Sequence, residues 1–129
     1  PNLAMSLSDL GAMLSDLGQR EEALAAAQEA AALFRQLAQQ SPNDFLPFLA
    51  TSLETYGCVL RALSRNAEAA IAFADGLRAI LPLVGVFSAA FSELAKKLLQ
   101  GYLNVCTAAE VAPDMALLAQ ANQALGQVS

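Results

Sequence analysis

Leu3, Leu7, Leu10, Leu14 and Leu17 step along the chain by threes and fours, which puts all five on one face of an α-helix. Gly18 ends that run, and Glu21-Glu22 follow where a new helix N-terminus favours negative charge. A second helix carries Ala23, Ala27, Ala30, Phe34 and Leu37 on one face. It should end near Gln40, because Ser41-Pro42-Asn43-Asp44 reads as a turn. Pro47 fits the first turn of a third helix bearing Leu49, Leu53, Tyr56, Leu60 and Leu63. Asn66 is placed to cap a fourth, with Ala69, Phe73, Leu77 and Ile80 as its apolar positions and Pro82 as its stop. A fifth runs from about Val86 to Thr107 through Phe87, Phe91, Leu94, Leu98, Tyr102 and Val105. Ala112-Pro113-Asp114 opens a sixth, with Leu117, Leu118, Ala121 and Leu125 as its apolar positions. Apolar and polar residues never alternate over a useful length, so no sheet is expected and the fold class is all-α.

The helices come in pairs that repeat. A shift of about 46 residues lays Leu3-Ala4-Met5-Ser6-Leu7 on Leu49-Ala50-Thr51-Ser52-Leu53. The same shift lays Gly11, Leu14 and Leu17 on Gly57, Leu60 and Leu63, and Glu22-Ala23 on Glu68-Ala69. A shift of about 45 residues puts Leu49 on Leu94, Leu53 on Leu98 and Phe73 on Leu118, whereas Tyr56 meets Tyr102 only at the larger shift. The chain therefore reads as one domain of three helix-turn-helix repeats, about 1–43, 44–85 and 86–129. It begins at Pro1 rather than a methionine and reads as a piece of a longer protein.

Composition narrows the function. The 129 residues are 56% hydrophobic with a mean hydropathy of +0.43, and much of the excess is alanine, which favours helix and close helix packing. The uncharged stretches Ala79–Ser92 and Met115–Ser129 fall short of the roughly 20 apolar residues a spanning helix needs, so no membrane partner is expected. Net charge is −5, and the basic residues are scattered apart from Lys96-Lys97, so nucleic acid is not an expected partner either. Cys58 and Cys106 read as reduced thiols in a cytoplasmic protein, with a disulfide as the alternative. There is no histidine, which removes the commonest general base and metal ligand together with Ser-His and Cys-His nucleophile pairs. Neither a G-x-x-x-x-G-K-[ST] nor a G-x-G-x-x-G phosphate cradle occurs. Glu21-Glu22 are accounted for by the helix start they occupy, and Asp9 and Asp16 by a solvated helix face. The expectation is a protein with no catalytic residues, no metal and no cofactor.

Leu10-Gly11, Leu14, Gly18, Ala23, Ala27 and Ala30, and then Tyr56-Gly57, Leu60, Ser64, Ala69, Phe73 and Gly76, resemble the tetratricopeptide repeat signature. The long repeat and the Leu-Ala-x-Ser-Leu opening look most like the kinesin-light-chain-type subset found in bacterial multidomain proteins. Ala27 stands where an aromatic is usual, Ser64 where a turn glycine is usual, and the third copy lacks a Leu-Gly pair. The resemblance implies six antiparallel helices stacked into a right-handed superhelix, with the first helix of each repeat lining a concave face. Ligands of this family lie across that face. Transferred position by position, it would be lined by Met5, Ser8, Asp9, Ala12, Ser15 and Asp16 in copy one. Copy two would give Thr51, Glu54, Thr55, Cys58, Arg61 and Ala62, and copy three Lys96, Leu99, Gln100 and Leu103.

The family's carboxylate clamp wants Lys and Asn where Ser8 and Ala12 stand, and its backbone-holding Asn pair is replaced by Ser8-Asp9 and Glu54-Thr55. The expected partner is therefore a helical or apolar-basic segment of a protein or peptide, held by a non-catalytic scaffold. Two alternatives stay open: a regulatory sensor arm of a multidomain signalling ATPase or protease, and a structural spacer or self-association unit. Self-association would give a homo-oligomer through exposed repeat ends, with Leu117, Leu118 and Leu125 lacking a helix to cover them.

Overall fold

A computed structural model of the chain describes residues 2–16, 19–84 and 89–126, with the backbone alone at 2, 8, 11, 12, 14–16, 89 and 90. The chain is all-helical. Its elements are α1 (Asn2–Asp16), α2 (Arg20–Gln40), α3 (Pro42–Ala62), α4 (Asn66–Ile80), a 3-10 turn (Leu81–Leu83), α5 (Ala89–Ala109) and α6 (Met115–Gly126). Among the described residues there is no strand. Each helix from α1 to α4 packs mainly on its neighbours along the chain, α3 also touches α1 and α5, and α6 makes a smaller contact shared among α5, the 3-10 turn and α4. Gly18, Leu17, Val86 and Phe87 lie outside the described residues, as do the surroundings of Gly11 and the side chain of Leu14.

Alanine sets the spacing of the stack. The buried stripe of α2 is Ala23, Ala26, Ala27, Ala30, Ala31, Phe34 and Ala38, so only one side chain beyond Cβ stands between its backbone and its neighbours. In α4 the stripe includes Ala69, Ala72, Phe73, Gly76, Leu77 and Ile80. Glycine takes over where the approach is closest. A Cβ built on Gly57 of α3 would lie 2.7 Å from the Phe73 ring, and one built on Gly101 of α5 would lie 2.9 Å from the same ring. Phe73, 1% exposed, is thus a flat plug held between two bare backbone patches and joins three successive helices.

The helix boundaries depart from the periodicity reading in places with physical causes. α3 begins at Pro42, not near Pro47: the Asp44 and Phe45 N–H groups donate to the Ser41 carbonyl at 3.2 and 3.1 Å, and Pro42 sits at the first helical position, where its missing donor costs nothing. Pro47 is left inside the helix. The carbonyl it cannot serve belongs to Asn43, which is exposed to water, while Phe45 and Leu46 pack on the core and hold the turn in place. Arg65, not Asn66, is the N-cap of α4, and its guanidinium grips Glu68 in the first turn through bonds of 2.9 and 2.7 Å.

Both α3 and α5 end on a left-handed residue, Ser64 at φ 62° and Glu110 at φ 57°. The next N–H then folds back across the end, from Arg65 to the Leu60 carbonyl at 2.8 Å and from Val111 to the Cys106 carbonyl at 2.9 Å. At the shift of about 45, Ala50, Leu53, Gly57 and Leu60 fall on Ala95, Leu98, Tyr102 and Val105, and all eight are buried.

The two ends of the stack differ, and not as the pattern suggested. Leu117 is 1% exposed, and Leu118 and Leu125 pack half-buried against the core, so α6 turns its apolar face inward. Its start is fixed by Asp114, whose Oδ1 accepts the Ala116 and Leu117 N–H groups at 3.0 and 3.3 Å, and by the buried Tyr102 phenol, which accepts the Asp114 N–H at 2.7 Å. The open end is α1. There Leu3 is 63% and Met13 55% exposed, whereas their repeat counterparts Leu49 and Val59, covered by α2, are 6% and 1% exposed.

Candidate functional site: the face of α1, α3 and α5

Because α3 starts at Pro42, one of its faces runs through Asp44, Pro47, Phe48, Thr51, Glu54, Cys58 and Arg61, at steps of three and four. This face borders three hollows. Against α1 it forms one of about 220 Å³ with Met5, Asp9, Phe34, Phe48 and Thr51. Against the first half of α5 it forms one of about 620 Å³, which includes Asp44, Pro47, Phe48, Glu54, Leu94 and Lys97. Further along, one of about 380 Å³ is lined by Glu54, Cys58, Arg61, Lys97, Gln100 and Asn104 over a floor of Phe73 and Gly101. Phe48 and Thr51 are common to the first two, and Glu54 and Lys97 to the second and third. The hollows therefore adjoin. From Asp44 to Arg61 the face is about 26 Å long, at 1.5 Å per helical residue.

Phe48 is the large apolar group of this face that stays open, 41% exposed. Its ring does not swing freely: it stacks on Phe34 with centroids 5.6 Å apart and 16° between planes, and leans on Phe45 at 6.5 Å. Cys58 donates its thiol hydrogen to Glu54 Oε2 at 3.3 Å. Burial, joined by the charge and hydrogen bond of Glu54, pushes the Cys58 thiol up to about 12, against a smaller opposing pull from Arg61 and Lys97. A thiol so held is neutral at physiological pH and acts as a small apolar lining group rather than a nucleophile. No group of three His, Cys, Asp or Glu side chains among the described residues is gathered closely enough to hold a metal ion.

Of the residues singled out from the sequence, Met5, Asp9, Thr51, Glu54, Cys58, Arg61 and Gln100 line these hollows. The side chains of Ser8, Ala12, Ser15 and Asp16 lie outside the described residues. Lys96 points elsewhere and pairs with Glu93 at 3.6 Å on the exposed side of α5, while Leu99 packs half-buried against the core. The cation that α5 gives the groove is its neighbour, Lys97, beside Arg61 of α3. Leu94, Lys97, Gly101 and Asn104 follow the helical step, so the sequence held the signal for Lys97, one position from the residue chosen. Phe48 and Pro47 were missed for another reason: starting α3 too late left them at the end of the helix instead of in the middle of its exposed face.

On the other side of the stack, Arg35, Asp75, Arg78 and Asp114 form a line of ion pairs, at 3.7, 3.3 and 3.0 Å, from α2 across α4 to the start of α6. All are substantially exposed, so they add little to stability singly. No helix among the described residues is long and apolar enough to cross a membrane. Compared with known proteins, the chain matches no protein-family model, no curated protein and no solved structure.

Proposed function

We propose that this chain is a non-catalytic protein- or peptide-binding module of the tetratricopeptide kind, which takes its partner along the face made by α1, α3 and α5. The observation that carries the reading is the adjoining of the three hollows through Phe48, Thr51, Glu54 and Lys97. A continuous trough about 26 Å long takes roughly eight residues of extended chain or some seventeen of helix. Asp9, Asp44 and Glu54 give it an acidic cast around an apolar floor, which suits an apolar-basic segment better than an acidic tail. The internal repeat and the Gly57–Phe73–Gly101 packing support the stacked-hairpin family and its right-handed superhelix, with the trough on the concave side. The two free thiols favour a reducing compartment, the cytoplasm.

The test is a charge reversal, Asp9→Lys with Glu54→Lys, at two points along the trough. A binding peptide selected on the wild-type chain is titrated against both proteins at two salt concentrations, with melting curves alongside. Weaker binding, a flatter salt dependence and a preserved cooperative melt are expected. Equal affinities would put the interface on the α2–α4 side or at the ends of the stack.

A second reading, self-association through α1, is favoured by the uncovered Leu3, Leu10 and Met13 on that helix, which are 63%, 41% and 55% exposed. Light scattering across a concentration series tests it. Association that Leu10→Glu and Met13→Glu abolish supports it, and a monomer at all concentrations removes it.

A further inference from the structure

We infer that the hollow between the first half of α3 and the start of α5 is an anchor subsite for an arginine side chain flanked by a large apolar residue on the bound peptide. The inference rests on reading the trough as a peptide site. Its warrant is the pairing of an open aromatic face with unneutralised carboxylates in one cavity. Phe48 is 41% exposed, yet its ring is fixed by Phe34 and Phe45, so a ligand that covers it meets a surface already in place. Asp44 and Glu54 border the same hollow. Asp44 has no ion-pair partner among the described residues, and Glu54 is engaged by the neutral Cys58 thiol rather than by a cation.

Charge balance then points to a cation. The hollow is bordered by Asp44, Glu54 and Glu93 against one positive group, Lys97, and Glu93 is already met by Lys96 from outside. A guanidinium fits better than an ammonium. It is planar and weakly hydrated, lies flat on an aromatic ring, and still presents N–H groups at its edge to carboxylates. The apolar neighbour on the peptide has Pro47 and Leu94 to rest on. At about 620 Å³ the hollow has room for both side chains.

The experiment selects binders from a random peptide library displayed on phage against the whole chain. The selected peptide is then synthesised with its arginine intact, replaced by citrulline, which keeps the shape without the charge, or replaced by lysine. Enrichment of arginine beside Leu, Ile, Phe or Met is expected, with roughly a tenfold loss for citrulline and a smaller loss for lysine. Asp44→Asn and Glu54→Gln should each weaken the arginine peptide roughly threefold to tenfold and leave the citrulline peptide unchanged. Phe48→Leu, which keeps an apolar filler without a π face, should erase the preference for arginine over lysine.

The failures separate. Peptides that bind in the trough, as judged by Asp9→Lys with Glu54→Lys, but carry no arginine or tolerate citrulline overturn the anchor and leave the trough standing. Lysine binding as well as arginine also overturns it, because the stacking argument is then wrong. Binders insensitive to every trough variant, or no enrichment at all, count against the trough itself and the anchor with it.

Discussion

Gly57→Ala adds one carbon where the packing leaves no room for it. The new Cβ would lie 2.7, 2.8 and 2.9 Å from three carbons of the Phe73 ring, against an ordinary carbon–carbon separation of about 3.5–4.0 Å. A ring at the end of a side chain can usually swing away, but this one has its other face on Gly101, where a Cβ would already come within 2.9 Å. Phe73 is 1% exposed, and a ring displaced toward the hollow it floors with Gly101 would give up buried contacts for solvent. The strain must spread into the α3–α4 or α4–α5 spacing. Overpacking of this kind costs about 1–3 kcal/mol, and the same substitution returns about 1 kcal/mol of helix propensity. The expected net therefore runs from about zero to a loss of about 2 kcal/mol, or up to roughly 8 °C in melting temperature for a chain of this size. Gly57→Leu, with three more carbons, should loosen the second hairpin outright.

Urea denaturation of Gly57→Ala, Phe73→Leu and the double variant reads the argument directly. Phe73→Leu relieves the crowding, so the pair should be more stable than the sum of the single losses predicts. Gly126→Ala serves as the control, because a Cβ there meets nothing within 4 Å and the last residue of α6 should tolerate it with little change in stability. If Gly57→Ala gains the full helix-propensity increment of about 1 kcal/mol, or the cycle is additive, Phe73 is not pinned between α3 and α5 and the packing account is wrong.

Four further outcomes are expected. Ser52 is 1% exposed and its hydroxyl has no hydrogen-bond partner among the described residues, so Ser52→Ala should raise stability by about 1 kcal/mol in urea titration. Ser64→Gly should add up to about 1 kcal/mol, since a glycine carries no Cβ penalty at φ 62°. The Asp114 carboxyl is held below the usual carboxylate range by the Leu117 N–H, then by Arg78 and the Ala116 N–H. Its stabilising share is therefore present above the unfolded pKa of about 3.9 and lost as pH falls through the lower folded value, so urea midpoints of wild type and Asp114→Ala should differ at pH 7 and converge in acid. With its pKa near 12, Cys58 in a Cys106→Ala background should alkylate at pH 8 at least roughly a hundredfold more slowly than a free thiol, and Glu54→Gln should speed it. The same shift favours folding below the ordinary thiol pKa of 9.0, and that contribution should fade as pH rises from there toward 12.

Helix type and number were legible because the apolar step of three and four is a local property of the chain. Ends were harder to read. Pro47 and Pro42 carry equal local signals for a helix start, and what decides between them is that Phe45, Leu46 and Phe48 find aromatic and core contacts one turn earlier. Part of the candidate trough was placed by carrying the repeat resemblance over position by position, as Glu54, Cys58 and Arg61 were. Lys97 follows the helical step of Leu94, Gly101 and Asn104, so its place was legible too, although Lys96 was the residue singled out.

The sequence by itself determined that the chain is helical, that its unit is a hairpin, and that it has no histidine chemistry to offer, since each of these follows from residue type and spacing. The tertiary structure alone decided which apolar residues are core. Leu3 and Leu49 occupy the same place in the repeat, yet one is 63% exposed and the other 6%, because burial depends on whether a neighbouring helix covers the position. It also decided that α6 closes its end of the stack, and that Phe48 is an open, fixed ring rather than a filler. Helical phase says which way a side chain points, but only the packing of the next helix says what it meets there.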